Sequence, residues 1–252
     1  MRWNWRGWIV PLALAAAAEA GMRAAGVASD SLAHPSDILL AAFTAIDTGI
    51  IARRTAQTLG AALGGLALGG ALGLGFGFWL GLSRAAARLA ALSIELFRPI
   101  PSVALIPIAM LTFGFGYRME ISIVAFACFW PTLLMSQAAV SGIERGFLEV
   151  GAVLGLARWQ QILKIVLPAA LPRVFVAFRL AAGIALVVAV TVEIAANPHG
   201  LGYGMMTAQQ NLRPDLMLAL LLWVGAIGWG LNAMLLAIQH RLFGVMGLDS
   251  GR

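Results

Sequence analysis

The segment ERGFLEVGAVLGLARWQQILKIVLPAALP, residues 144–172, is a polar island between two long apolar runs. It holds the densest set of charges in the chain, namely Glu144, Arg145, Glu149, Arg158 and Lys164, with Arg173 directly after it. On both sides of Gly155, apolar residues recur at spacings of three and four, which predicts two short amphipathic helices hinged at this glycine. Pro168 and Pro172 are expected to close the second helix. The island is therefore typical of a structured loop that a partner protein can bind.

The composition of the chain excludes an ordinary soluble domain. Of its 252 residues, 61% are hydrophobic and only 11% are charged, whereas about a quarter of the residues of a soluble domain are charged. The net charge is +6, but the basic residues are scattered singly, which does not favour nucleic-acid binding. Cys128 is the single cysteine, so no disulfide can form within the chain. The sequence predicts an all-α integral membrane protein.

Apolar runs predict about six transmembrane helices in one permease domain, 1–252, with a core of about 54–243 and a cytoplasmic loop at 144–173. The expected spans are 9–25, 59–82, 89–115, 121–140, 174–196 and 216–238. The first span is expected to be retained and not cleaved as a signal peptide.

The distribution of basic residues predicts that both termini are cytoplasmic. Ten basic residues fall in the segments assigned to the inside: Arg2, Arg6, Arg84, Arg88, Arg145, Arg158, Lys164, Arg173, Arg241 and Arg252. Four fall outside: Arg53, Arg54, Arg118 and Arg213. Positive charge is enriched in the cytoplasmic loops of membrane proteins.

The external connections are expected at three places. The first is a polar connection over residues 27–58 that contains an interfacial helix at 38–51. The second is a turn at 116–120 that carries Arg118 and Glu120, and the third is a loop at 197–215. Within the first span, Glu19 and Arg23 lie one helical turn apart and are expected to neutralise each other.

Glycine recurs every fourth residue in the second span, at Gly65, Gly69, Gly73, Gly77 and Gly81. Small residues at this spacing form a smooth helical face that lets another helix approach closely. We therefore predict that Gly65, Gly69, Gly73 and Gly77 are helix-packing residues.

The third apolar run is interrupted by prolines and cannot form one continuous helix. Broken helices are tolerated at membrane depth where they are buried in protein or line a watery cavity. The candidate residues for the lining of a transport pathway are Pro99, Pro101, Ser102, Pro107 and, in the fifth span, Glu193. Each candidate also has a structural alternative. The prolines can serve only to kink the helix, and Glu193 can cap a helix or bond to a neighbouring one.

The sequence contains no recognisable catalytic chemistry. Lys164 is the only lysine, and it does not lie in a phosphate-binding loop. The three histidines have no metal-ligand spacing, and no serine lies in a Gly-x-Ser-x-Gly motif. We therefore expect no enzyme activity, no metal and no cofactor on this chain. Any energy for pumping must come from a partner or from an ion gradient.

The polar island resembles the coupling loop of binding-protein-dependent ABC importer permeases. The pattern of that loop is Glu-Ala-Ala, three residues, Gly, nine residues, then Ile-x-Leu-Pro, and here Val150 and Gly151 stand in place of the two alanines. The residues that the resemblance assigns to ATPase coupling are Glu149, Val150, Gly151, Gly155, Arg158, Trp159, Leu167 and Pro168. It implies that Glu149 is a contact or helix cap and not a catalytic base.

Other stretches are similar to the branch of these permeases that serves nitrate, aliphatic sulfonates and taurine. They are FRPIPSVALIP at 97–107, with Ser102 where a third proline is usual, RWQ at 158–160, LPAALP at 167–172, and GLGY at 200–203 followed by AQQ at 208–210. Together with the island, the resemblance covers roughly residues 34–243.

The resemblance implies a type I ABC importer permease fold in the bacterial inner membrane. It also implies a second permease copy, giving a homodimer, two cytoplasmic ATPase subunits that hold ATP and Mg²⁺, and an external solute-binding protein. Nucleic acid is not an expected partner. The alternative is a secondary transporter or channel driven by an ion gradient, which predicts paired intramembrane acids and a repeated half. The sequence shows neither of these features, nor the clustered catalytic side chains of a membrane-embedded enzyme.

Overall fold

A computed structural model describes residues 9–24 and 33–244 of the chain. Arg2, Arg6 and Arg252 of the charge count lie outside these residues. The described part contains only helices, turns and irregular segments. In its first half the helices are α1 (Ile9–Ala24), α2 (Pro35–Asp47), α3 (Ile50–Leu82), α4 (Arg84–Phe97), α5 (Ile106–Phe113) and α6 (Tyr117–Ser141). A 3-10 turn, Ser102–Leu105, leads into α5.

The second half begins with the polar island. Its helices are α7 (Arg145–Val153), α8 (Arg158–Gln161), α9 (Leu167–Ala195), α10 (Gly200–Gln210) and α11 (Pro214–Phe243). A turn of π-helix, Ile162–Val166, joins α8 to α9.

Within residues 9–24 and 33–244, four helical segments are long and apolar enough to cross a membrane, and their bounds are Ile50–Leu82, Tyr117–Ser141, Arg158–Ala195 and Pro214–Phe243. A fifth span results if α4 and the segment Ser102–Phe113 are counted together. These two pieces meet at 80°, so the predicted break in the third apolar run is confirmed. The sixth predicted span corresponds to α1, which has 16 residues.

The core lies between α3, α6 and α9, and it is built from small side chains. Ala62 and Leu66 of α3 and Cys128 of α6 pack against a row of alanines on α9, which comprises Ala181, Ala182, Ala185 and Ala189. Lipid tails are as apolar as the helices, so close packing must hold such a bundle together. The small side chains allow the three helices to approach one another.

The glycine row of α3 faces α6. A Cβ atom at Gly73 would lie 2.5 Å from the carbonyl oxygen of Phe129, and one at Gly77 would lie 2.5 Å from that of Leu133. Gly65 and Gly69 meet Val124 and the backbone of Ala125 in the same way. Any larger residue at these four positions would therefore push α6 away.

The prediction that Pro168 and Pro172 close the second loop helix is wrong. The chain stays helical from Arg158 to Ala195 without interruption. Pro168 lies in the first turn of α9, where a missing N–H is tolerated. The preceding π turn, in which the N–H of Leu167 bonds to the carbonyl of Ile162, shifts the hydrogen-bond register before the proline.

Two segments that the sequence predicts to be external connections differ in structure from the expectation. The predicted turn at 116–120 is the first turn of α6, and its Glu120 is buried, with only 1% of its surface exposed. The predicted loop at 197–215 contains α10, of which Gly200, Leu201 and Gly202 are buried. In both segments, polar groups find partners elsewhere in the chain: Glu120 accepts from Asn197, and the first N–H groups of α10 bond to side chains of α3 and α9.

Glu19 and Arg23 form the predicted pair on α1. The Arg23 Nε atom lies 2.6 Å from Glu19 Oε1. Glu19 also accepts hydrogen bonds from the backbone N–H and the hydroxyl of Ser36, at 3.1 and 2.9 Å. The pair therefore also joins α1 to the start of α2.

Gly73→Ala should lower the melting temperature and the membrane yield of the chain. The added methyl group has no room against α6, and overpacking of this kind costs about 1–3 kcal/mol. Gly75→Ala is the matched control on the same helix, because nothing lies within 4 Å of a Cβ atom there. Thermal unfolding in detergent measures both variants, and equal melting temperatures would contradict the close contact.

Candidate coupling loop and transport pathway

The hinge of the polar island is a helix C-terminus that needs glycine. Gly155 has a φ angle of +72°, in the left-handed region. Its N–H bonds to the carbonyl of Ala152, and the N–H of Leu156 bonds to that of Gly151, both at 3.0 Å. This pair of bonds is the Schellman motif, which satisfies the last carbonyls of a helix. The motif ends α7 and turns the chain toward α8.

The two halves of the island are fixed against each other. Gly151 is buried, and a Cβ atom on it would lie 2.8 Å from the side chain of Ile165. The Gln161 amide donates to the carbonyl of Leu156 at 3.0 Å. The N–H of Ala157 donates to the Gln160 side chain at 2.9 Å. These contacts make the island one rigid unit.

The island exposes large apolar side chains around the hinge. Val153 is 88% exposed and Leu154 is 71% exposed, and Val150 and Trp159 are also exposed. Exposed apolar residues that cluster together indicate an interaction site. The surface of these four residues, with Phe147 beside them, is called the loop crown below.

The other residues assigned to coupling surround the crown. Glu149 is exposed in the middle of α7, beyond its first turn, so it does not cap that helix. Arg158 is exposed at the first position of α8. Leu167 is half-buried and Pro168 is exposed at the start of α9. The structure thus brings the crown and these residues together at one end of the bundle.

A cavity of about 620 Å³ lies between α4 and the end of α6 that leads into the loop. It is called the α4 cavity below. Its walls comprise Ala87, Ala91, Ile94, Glu95, Arg98 and Pro99 from the α4 side and Leu134 and Gln137 from α6. Cavities of this size can hold a small solute.

The structure separates the predicted pathway residues. Of these, only Pro99 lines the α4 cavity. Pro101 lies at the start of the 3-10 turn, Ser102 follows it, and Pro107 is exposed in the first turn of α5. Glu193 lies at the opposite end of the bundle, beside a cavity of about 320 Å³. The five residues therefore do not form one site.

Three side chains from α3 and α9 hold the beginning of α10. The pairs, with their N···O distances, are Gly200 N–H to Gln57 Oε1 at 3.0 Å, Leu201 N–H to Thr58 Oγ1 at 2.9 Å, and Gly202 N–H to Glu193 Oε2 at 2.8 Å. The first N–H groups of a helix have no partner inside it. Side chains from two spans supply these partners, so α10 is docked across both.

Further polar groups surround this junction. Arg54 donates to the carbonyl of Gly200 at 3.3 Å and lies 5.9 Å from the ring centre of Tyr203. The buried Asn197 donates to the buried Glu120. These groups and the three side chains that hold α10 form a polar cluster at the end of the bundle that the sequence predicts to be external; it is called the outer polar cluster.

Of the residues in this cluster, the sequence indicated only Glu193 as a candidate functional residue. Thr58 and Leu201 are 143 positions apart, so no local spacing relates them. The α4 cavity did carry a local signal, because Ala87, Ala91, Ile94, Glu95 and Arg98 recur at helical spacing.

The described part of the chain combines several helices that can cross a membrane with an exposed apolar surface, the loop crown, that is suited to contact with another protein. Residues 69–243 match the family described as binding-protein-dependent transport system inner membrane component. The chain belongs to this family. It is the permease subunit of an ABC importer and is not an enzyme, because ATP is hydrolysed by the partner ATPase.

Individual relatives and a solved structure agree with this assignment. A putative ABC transporter permease of Methanocaldococcus jannaschii is 30% identical over 84% of this chain and 78% of its own. A putative aliphatic sulfonates transport permease of Bacillus subtilis is 31% identical over 72% of this chain and 66% of its own. A chain of the inward-facing MetNI methionine ABC transporter matches 75% of this chain and 95% of its own, with a TM-score of 0.62 and 20% identity. The last likeness concerns the fold alone.

Glu193→Ala should destabilise the protein, because it leaves the buried N–H of Gly202 without an acceptor. An unsatisfied buried group of this kind costs about 1–3 kcal/mol. Glu193→Gln keeps an oxygen at the same place and should retain most of the stability. Thermal unfolding of both variants tests the role of the carboxylate as an acceptor, and a Gln variant as unstable as the Ala variant would contradict it.

Proposed function

We propose that this chain carries a small anion or organic solute, such as a sulfonate, across the bacterial inner membrane. In this proposal two copies of the chain form the pathway, two cytoplasmic ATPase subunits hold ATP and Mg²⁺, and an external binding protein delivers the solute. The sulfonate permease of Bacillus subtilis supports the class of solute. Binding proteins supply most of the selectivity in such systems, so the proposal names a chemical class.

The observation that carries the proposal is the loop crown. A globular protein buries large apolar side chains or covers them with a partner. Apart from Trp159, which lies at the start of the helix Arg158–Ala195, the crown lies outside the spans. It is next to two exposed charged residues, Glu149 and Arg158. An apolar centre with a charged rim is the usual anatomy of a protein interface. The crown is therefore suited to a cleft on an ATPase subunit.

The continuous helix from Arg158 to Ala195 can transmit a movement of the loop to the other end of the bundle. Its 38 residues extend over roughly 57 Å at about 1.5 Å per residue. One end follows the crown, and the other carries Glu193 of the outer polar cluster. We infer that closure of the ATPases moves the loop, tilts this helix and changes the opening of the pathway by alternating access.

Affinity purification of the tagged chain in mild detergent tests the proposal. Mass spectrometry should find an ATPase subunit with a phosphate-binding loop in stoichiometric amount. The Trp159→Ala and Leu154→Ala variants should lose this subunit while their melting temperatures stay unchanged, because both side chains are exposed. Purification of the chain alone, from membranes that contain candidate ATPases, would contradict the proposal.

Gly155→Ala should reduce the coupling of ATP hydrolysis to uptake. A residue other than glycine pays about 1–2 kcal/mol in the left-handed conformation, so the hinge is expected to relax and the crown to reorient. Gly146→Ala is the matched control, because a Cβ atom at either glycine meets nothing within 4 Å and only Gly155 has a positive φ angle. Uptake and ATPase activity are measured together in vesicles, and an unchanged ratio for Gly155→Ala would exclude this role.

A further inference from the structure

One face of α4 and the bend after it form most of the α4 cavity. Ala87, Ala91, Ile94, Glu95 and Arg98 follow one another at intervals of three, four or one, which places them on the same side of the helix. The other side presents Leu89, Leu92 and Leu96, all exposed. The cavity wall is thus a small-residue stripe that ends at a charged residue.

Arg98 stands at the point where the span is broken. It directly follows α4 as its C-cap residue, and the next residue, Pro99, lies in the break before the segment Ser102–Phe113, which meets α4 at 80°. Among the described residues, the Arg98 guanidinium has neither a hydrogen-bond partner nor a salt bridge. Arginine stays ionised in proteins and offers five N–H donors. Arg98 is exposed in the described chain, so these donors are open to a ligand.

Gln137 faces the same cavity from α6. Its side-chain amide likewise makes no hydrogen bond to any of the described residues. The rest of the wall, apart from Glu95, is apolar, with Ala87, Ala91, Ile94, Pro99 and Leu134. The cavity therefore combines two unused polar groups able to donate with an apolar surface.

We propose that Arg98, assisted by Gln137, binds the negatively charged group of the solute inside the membrane. The solute class is a small organic anion with one sulfonate or carboxylate group and a short apolar chain. The planar guanidinium matches the spacing of oxygens in such groups, and the alanines and Ile94 accept the chain. This inference rests on the proposed function, because it assigns the α4 cavity to the transported solute.

Glu95 has a second role in this proposal. It lines the same cavity one turn before Arg98, but the two residues form no salt bridge with each other. Its negative charge weakens the attraction between the site and an anion. A site on a transport pathway must release what it binds. Glu95 therefore sets the affinity low enough for release.

Binding is measured on the full chain, purified with its ATPase, as the rise in melting temperature on adding ethanesulfonate or propionate at constant ionic strength. A ligand that binds the folded state raises its stability in a saturable way. Ethyl methyl sulfone, which is uncharged and of similar size, serves as the control compound. We expect saturable stabilisation by the two anions and none by the sulfone.

Four variants locate the site. Arg98→Gln should weaken anion binding at least tenfold, and Glu95→Gln should strengthen it. Ala91→Leu should weaken binding by filling the cavity without changing any charge, which keeps the test valid if Arg98→Gln fails to fold. Arg88→Gln removes one positive charge from the same helix outside the cavity and should bind as the wild type does.

Several results would overturn the inference. They are the absence of stabilisation by either anion, equal stabilisation by the sulfone, and binding that is the same in Arg98→Gln and in the wild type. Arg98-dependent stabilisation by phosphatidylglycerol alone would make the cavity a lipid site instead. Co-purification of the ATPase does not involve Arg98, so an intact complex without anion binding would contradict this inference and leave the proposed function standing.

Discussion

The backbone contact between α3 and α6 is the constraint on which the rest of the structure depends. In a bilayer no hydrophobic force drives helices together, so a stable pair needs close fit along its length. Glycines at every fourth position of α3 let the carbonyls of Phe129 and Leu133 approach within contact distance. The same pair presents Ala62, Leu66 and Cys128 to α9. Without the glycine face, α9 would have no surface of the right shape to pack on.

Helix α9 connects the two ends of the molecule. Its helix begins in the polar island and continues through Pro168 and Pro172 to Glu193. A break at either proline would have separated the loop from the spans. The π turn before Pro168 avoids this break, because it changes the hydrogen-bond register where the proline lacks an N–H. The loop and the outer polar cluster are therefore joined by one continuous helix.

Features set by neighbouring residues could be predicted from the sequence, and features set by distant ones could not. The hinge at Gly155 and the glycine row of α3 depend on local conformation and on a four-residue repeat, and the structure contains both. The burial of Glu120 depends on Asn197, 77 positions away, and α10 depends on acceptors from α3. The closing role given to Pro168 was wrong because proline ends a helix only where its missing hydrogen bond cannot be bypassed.

The polar groups of the two ends differ in how far the protein itself satisfies them. At the end that holds α10, Gln57, Thr58 and Glu193 each accept a hydrogen bond from the backbone of this helix, so their polarity is used to hold a structural element. In the α4 cavity, Arg98 and Gln137 make no such bond within the described residues. A polar group that the fold has already satisfied gains little from a ligand, whereas one left open in a cavity can bind a ligand without breaking any contact. The same residue types thus stabilise the fold at one end and remain available for binding at the other.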